Sequence, residues 1–187
     1  MDDQWGTLAR LTLAEFSERL ASADPVPGGG SASALAGAMA ASLLAMVARL
    51  SLDRPKYEQF REGNQRALEV AEAARVRLLQ LTDADARAYA SYSAARRMPK
   101  ETAEEQGLRA DASRVAAREA SEIPLSVARE CAALLEEIDS IAGRSNVNAA
   151  SDLEVAARLC AAAARGAAAN VLVNVPQVGD ERYAGAT

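Results

Sequence analysis

From Lys56 to Met98 the chain runs without a proline, and apolar residues recur there at helical spacing. A segment of that length leaves little room for any architecture not built from long helices. The alanine content points the same way: 45 of the 187 residues are alanine, spread through every long segment. Alanine is the strongest helix former, whereas the aromatic and β-branched residues that favour strands are scarce; aromatics make up only 4%. The length suits one domain with a core of its own.

Local signals divide the chain into helices. Thr12-Leu13-Ala14-Glu15 reads as a capping box and opens a helix to about Ala23. Asp24 to Gly30 joins two prolines to three glycines and cannot continue it. A second helix is expected from about Ser31 to Leu50, ended by Asp53-Arg54-Pro55. The Lys56–Met98 run is long enough that a kink or break near Thr82-Asp83 is expected, and Pro99 closes it. Thr102-Ala103-Glu104-Glu105 is a second capping box. Pro124 is expected to break or kink the helix that follows, which resumes to about Ala142 with Gly143 as its cap. Ser151-Asp152-Leu153-Glu154 reads as a third capping box, opening a last helix that stops before Pro176. The tail 177–187 is expected to be loosely ordered. The predicted fold is therefore all-α: a single domain over 1–187, a bundle of five to six Ala-rich helices. Thin alanine faces let helix axes approach closely but bury little each, so a homodimer that adds burial is expected.

Charge and reactive side chains narrow the function. The chain has no histidine, which excludes Ser-His-Asp, Cys-His and His-ligated metal mechanisms. Proton transfer must then use Asp, Glu, Lys, Tyr, Cys or water. A net charge of −5 argues against nucleic acid as a partner. Cys131 and Cys160 lack CxxC spacing and read as buried free thiols of a reducing compartment, with no metal centre indicated. The N-terminus carries Asp2, Asp3 and Glu15 and no signal-like apolar region. Ala32–Ala48 is uncharged but rich in Ala, Ser and Gly, and reads as a core helix, not a membrane span. A cytoplasmic protein is expected.

Three segments can carry chemistry. Pro27-Gly28-Gly29-Gly30-Ser31 leads straight into a helix, so free backbone N–H groups face outward at the positive end of its dipole. Three successive glycines exceed what a serine cap needs and favour close approach of a ligand. In the second segment, Asp85, Tyr89, Tyr92 and Arg96 fall at i, i+4, i+7 and i+11, one stripe of a helix. Asp85 there can act as acid/base or as counter-charge to a cation, against a plain solvated face in which Asp83 pairs with Arg87. The third contains Asn146, Asn148, Ser151 and Asp152, explicable by turn and cap formation or by binding. Asn170 and Asn174 lie four apart in an apolar run, where buried amides need partners from each other, the backbone or a heterocycle.

In order, the chain presents PxPGGGSxSA, then DxDAxAY followed by MPK, then NxNxxSDLxVAA, then NVLxNV. Together these motifs resemble the formiminotetrahydrofolate cyclodeaminase and methenyltetrahydrofolate cyclohydrolase family, from about Leu11 to Val175. Two departures are Ser145, where the family usually has glycine, and Glu154, where it often does.

The resemblance implies an all-helical, dimerising domain that binds tetrahydrofolate and needs no metal or redox cofactor. It implies Asp85 as the catalytic residue, with Asp83 as second choice. It makes Pro27, Gly28, Gly29, Gly30, Ser31, Tyr89, Asn146, Asn148, Ser151, Asp152, Asn170 and Asn174 substrate-binding candidates, with Lys100 as a candidate for the anionic glutamate tail. The expected activity is hydrolysis of 5,10-methenyltetrahydrofolate to 10-formyltetrahydrofolate. The alternative is the cyclodeaminase reaction, which forms the methenyl compound and ammonia from 5-formiminotetrahydrofolate. The lack of a preceding formiminotransferase unit tilts the expectation toward the first. A non-catalytic bundle that binds folate or a protein is the remaining alternative.

Overall fold

The computed structural model describes residues 7–180, 183 and 185. Among them there are no strands. Five α-helices follow in order: α1 (Leu13–Leu20), α2 (Gly29–Leu52), α3 (Arg61–Arg96), α4 (Ala103–Ile141) and α5 (Ala150–Val178). Short 3-10 turns precede α1, α3 and α5. The four long helices form a closed ring in which α2 packs on α3, α3 on α4, α4 on α5, and α5 back on α2. Short connections make successive helices antiparallel. The start of α2, the end of α3, the first half of α4 and the end of α5 therefore share one end of the bundle.

The core is built from alanine with a few large side chains. Leu44, Leu78, Leu134 and Ile141 are fully buried among Ala34, Ala41, Ala71, Ala156 and Ala163. Each such leucine or isoleucine contributes roughly 1.5–3 kcal/mol by leaving water. Gly37 marks how closely the helices approach: a Cβ there would lie 3.1 Å from Cys131 Sγ and 3.2 Å from Leu78. Cys131 and Cys160 are buried free thiols, and Cys160 Sγ donates to the Cys131 carbonyl at 3.1 Å.

Two capping boxes form as read. Thr12 and Glu15 exchange side-chain and backbone hydrogen bonds at the start of α1, and Thr102 and Glu105 do so at α4. Other boundaries differ. α1 stops at Leu20, because Ser22 Oγ accepts from Asp24 N and Pro25 disfavours a helical Asp24. α2 starts earlier, at Gly29, and continues to Leu52. α5 begins at Ala150 behind Ala149, so Ser151 lies inside its first turn and caps nothing; Glu154 pairs with Arg158 instead.

Two expected breaks do not occur. α3 is continuous through Thr82, whose hydroxyl donates to the Leu78 carbonyl at 3.0 Å within the helix. α4 is continuous through Pro124. Proline removes the N–H that would bond the carbonyl of Ala120, and Asn174 Nδ2 of α5 supplies a donor there at 2.7 Å.

α5 likewise runs past Pro176 to Val178, since the carbonyl that Pro176 releases belongs to Leu172, a 74% exposed residue open to water. Beyond α5, Tyr183 is buried against Ala117 and Val178, with the Arg118 guanidinium 4.9 Å over its ring. The helix Gly29–Leu52 and the segment Val147–Val178 are each long and apolar enough to cross a bilayer, so Ala32–Ala48 is not alone in that respect; half of the first one's most apolar window is buried.

Candidate active site

A cleft of about 530 Å³ opens at the shared end of the bundle. The turn Pro25–Gly30 and the start of α2 form its floor. α3 supplies Asp85, Tyr89, Tyr92 and Arg96 as one wall, and α5 supplies Asn170, Val173, Asn174 and Gln177 as the other.

Asp85 is held by α2. Ser31, fully buried in the first turn, donates its hydroxyl to Asp85 Oδ2 at 2.7 Å. No side chain caps α2: Gly28 stands at the N-cap, and Ser31 is turned toward α3 instead. Gly30 explains the third glycine of the run. A Cβ at that position would lie 2.0 Å from Asp85 Oδ1, so only glycine lets the carboxylate reach the helix N-terminus. Gly29 faces α5, where a Cβ would lie 3.4 Å from Asn170 Nδ2.

The electrostatics of Asp85 follow from this packing. Burial pushes its carboxyl above the ordinary 3.8, while the hydroxyl and backbone N–H of Ser31 pull the other way. The result is a carboxyl displaced toward neutrality and touching the cleft, the property expected of a group that both takes and returns a proton.

The remaining candidates separate into two groups. Gly28, Gly29, Gly30, Tyr89, Asn170 and Asn174 line the cleft with Asp85. Asn170 Nδ2 donates to Gly166 O at 2.8 Å, and Asn174 Nδ2 serves Ala120, so each amide has a structural partner as well. Pro27 is buried behind the turn, after a cis Val26–Pro27 peptide, and does not line the cleft. Asp83 points away: its Oδ1 accepts the backbone N–H of Ala9 at 3.1 Å and docks the N-terminal 3-10 turn. Lys100 is exposed beyond the end of α3 and is not part of the cleft.

Asn146, Asn148, Ser151 and Asp152 lie at the far end of the bundle. Asn146 Nδ2 donates to Leu50 O at 3.3 Å, its N–H donates to Ser51 Oγ, and its Oδ1 accepts from Asn148 N. Gly30 and Leu50 are 20 positions apart along α2, which puts about 30 Å between the two ends. Asn146 borders a second cleft of about 790 Å³ there, with Lys56, Tyr57 and Glu154. The elements that stand together in the sequence motif therefore do not meet within one chain. Conversely, Tyr92, Arg96 and Gln177 join the cleft without being named as candidates; the i+7 and i+11 spacing from Asp85 already placed the first two on its stripe.

Comparison with known proteins gives the family and the fold. The chain is 35% identical over 173 residues to the methenyltetrahydrofolate cyclohydrolase of Methylorubrum extorquens, covering 92% of this chain and 83% of that protein. It is 34% identical over 177 residues to the formimidoyltransferase-cyclodeaminase of Sus scrofa, covering 95% of this chain and 33% of the relative, so it spans about a third of that protein. Its fold matches the crystal structure of formiminotetrahydrofolate cyclodeaminase from Thermotoga maritima with a TM-score of 0.84 at 33% identity, over 94% of this chain and 84% of that one. The family model described as formiminotransferase-cyclodeaminase matches residues 12–187. With that match, the shared fold and the cyclohydrolase aligned over most of its length, the chain belongs to the formiminotransferase-cyclodeaminase family.

Proposed function

We propose that the cleft binds a tetrahydrofolate derivative and hydrolyses 5,10-methenyltetrahydrofolate to 10-formyltetrahydrofolate, with Asp85 as general base and then general acid. The observation that carries this reading is the half-buried Asp85 carboxyl, raised by burial and fixed by Ser31 at the wall of the cleft. The similarity to a methenyltetrahydrofolate cyclohydrolase over 83% of that protein supports it.

The substrate's methenyl carbon bridges N5 and N10 as a cationic amidinium and is already electrophilic. Ionised Asp85 favours that cation and takes a proton from water as the oxygen adds to the carbon. The adduct is a neutral carbinolamine. Asp85 then gives its proton to N5 as the bond from carbon to N5 breaks, and the hydroxyl proton leaves to solvent. The products are the N10-formyl compound, one released proton and the regenerated carboxylate. Such acid/base help is worth about 10²–10⁴-fold.

The likeness to a solved cyclodeaminase favours a second reading of the same site. There N10 attacks the formimino carbon, and protonated Asp85 assists the departure of ammonia. Mixing the protein with each substrate and following the methenyl chromophore separates the two. Loss above the uncatalysed rate supports hydrolysis. Its appearance with ammonia release supports the deaminase. No change with either substrate removes both.

The reading invokes a folate substrate and a second copy of the chain, with no nucleic acid, no membrane, no metal or redox cofactor, and the cytoplasm as the compartment. A homodimer is supported by α2, where Met39, Met46 and Leu50 stay 37–42% exposed along one face of an almost uncharged helix.

A further inference from the structure

Arg96 is the cationic side chain that lines the cleft. It sits in the last turn of α3, and no carboxylate lies within ion-pair distance of it among the described residues. Its backbone carbonyl accepts from Arg109 Nε of α4 at 3.1 Å, which brings a second positive charge to the C-terminal end of α3. We propose that the Arg96 guanidinium binds the glutamate carboxylates of the folate, with Tyr89 and Tyr92 flanking its p-aminobenzoyl ring between Arg96 and Asp85. This rests on the folate reading above and adds to it a substrate orientation, with the tail running toward the C-terminal end of α3.

Spacing supports the assignment. Asp85 and Arg96 are 11 residues apart on one continuous helix, about 16 Å along its axis. One aromatic ring and an amide separate the reacting carbon from the glutamate, roughly 10 Å on standard bond lengths, and an arginine side chain spans about 6 Å more. The order of side chains along the wall matches the order of groups along the substrate: carboxylate to amidinium, phenols to aromatic ring, guanidinium to carboxylates.

Charge and exposure agree. The C-terminal end of a helix repels an anion, so a carboxylate held there needs a cation beside it. Asp85 is half-buried, Tyr89 is 42% exposed and Arg96 is exposed, so polarity and access to water both increase toward the proposed tail site. A planar guanidinium also suits bidentate pairing with a carboxylate. Lys100, four residues further on, lies outside the cleft and cannot substitute.

The test compares 5,10-methenyltetrahydrofolate with 5,10-methenyltetrahydropteroate, which keeps the pterin and the aryl ring but lacks glutamate. For Arg96→Gln, KM for the folate is expected to rise about tenfold or more, while its kcat changes by less than twofold and the KM for the pteroate stays at the wild-type value. Arg96→Lys should recover part of the loss. An unchanged folate KM, or an equal rise for both compounds, overturns the assignment. Wild-type protein that turns over neither compound defeats the activity reading. In that case the same comparison is made as Kd for 5-formyltetrahydrofolate and 5-formyltetrahydropteroate, where equal affinities, or no binding of either, overturn the role of Arg96.

Discussion

The hydroxyl of Ser31 donates to Asp85 Oδ2 across 2.7 Å, tying the first turn of α2 to the C-terminal part of α3. That bond favours the ionised carboxylate and opposes the effect of burial. Ser31→Ala removes the hydroxyl and leaves burial in place, so the carboxyl moves further up. The limb of the kcat/KM–pH profile that reports Asp85 ionisation is expected to shift to higher pH. A limb that stays put, or moves down, contradicts the role given to Ser31.

Gly30 is predicted to tolerate no side chain. A Cβ there meets Asp85 Oδ1 at 2.0 Å, so Gly30→Ala must displace the carboxylate or the start of α2. Such overpacking costs about 1–3 kcal/mol of stability. Because misplacing a catalytic group by an ångström is worth on the order of 10²-fold, turnover should fall by at least that factor. Gly107→Ala is the control: it lies in α4 with nothing within 4 Å of its Cβ, and should raise stability by about 0.5–1 kcal/mol. Urea unfolding and steady-state rates of the two variants check both statements.

Asn174 and Pro124 should be energetically coupled. Asn174→Ala leaves the Ala120 carbonyl without its donor and is expected to cost about 1–3 kcal/mol. In a Pro124→Ala background the helix supplies its own N–H to that carbonyl, so the same change should cost clearly less. A double-mutant cycle by denaturant unfolding reads the difference, and additive effects would contradict the explanation.

That pair also shows where sequence reasoning stops. The local signals were legible: Thr12 with Glu15 and Thr102 with Glu105 form the capping boxes that their spacing suggests, and the stripe from Asp85 to Arg96 is one face of one helix. A break at Pro124 is the right local expectation, and a residue 50 positions away in sequence cancels it. Ser151 shows the reverse case, a complete cap pattern left unused because the chain enters the helix two residues earlier from a 3-10 turn. Gly30 could be read as permissive from sequence, but only the fold reveals that it yields to Asp85. The motif order also gave no sign that Asn146 and Asp85 lie at opposite ends of the bundle.

Asp85 should make stability depend on pH with a definite sign. Its carboxyl is raised in the folded protein, so the folded state holds the proton more tightly than the unfolded chain. The favourable contribution is complete below the ordinary 3.8 and is lost as pH rises through the folded value. Above that value the ionised group is a net cost. Asp85→Asn is therefore expected to melt higher than wild type at neutral pH, with the gap narrowing as pH falls through the raised folded value and closed below 3.8. A variant that melts lower at neutral pH would mean that the ionised carboxylate stabilises the fold.

The most direct measurement of the central claim is the rate at which the 5,10-methenyltetrahydrofolate chromophore disappears with wild type, Asp85→Asn and Asp83→Asn, all confirmed as folded by their melting curves. The account predicts loss above the uncatalysed rate for wild type and a fall of about 10²–10⁴-fold for Asp85→Asn. Asp83→Asn should keep the wild-type rate, because Asp83 holds the Ala9 amide and does not line the cleft. Full activity in Asp85→Asn, or its loss in Asp83→Asn alone, would contradict it.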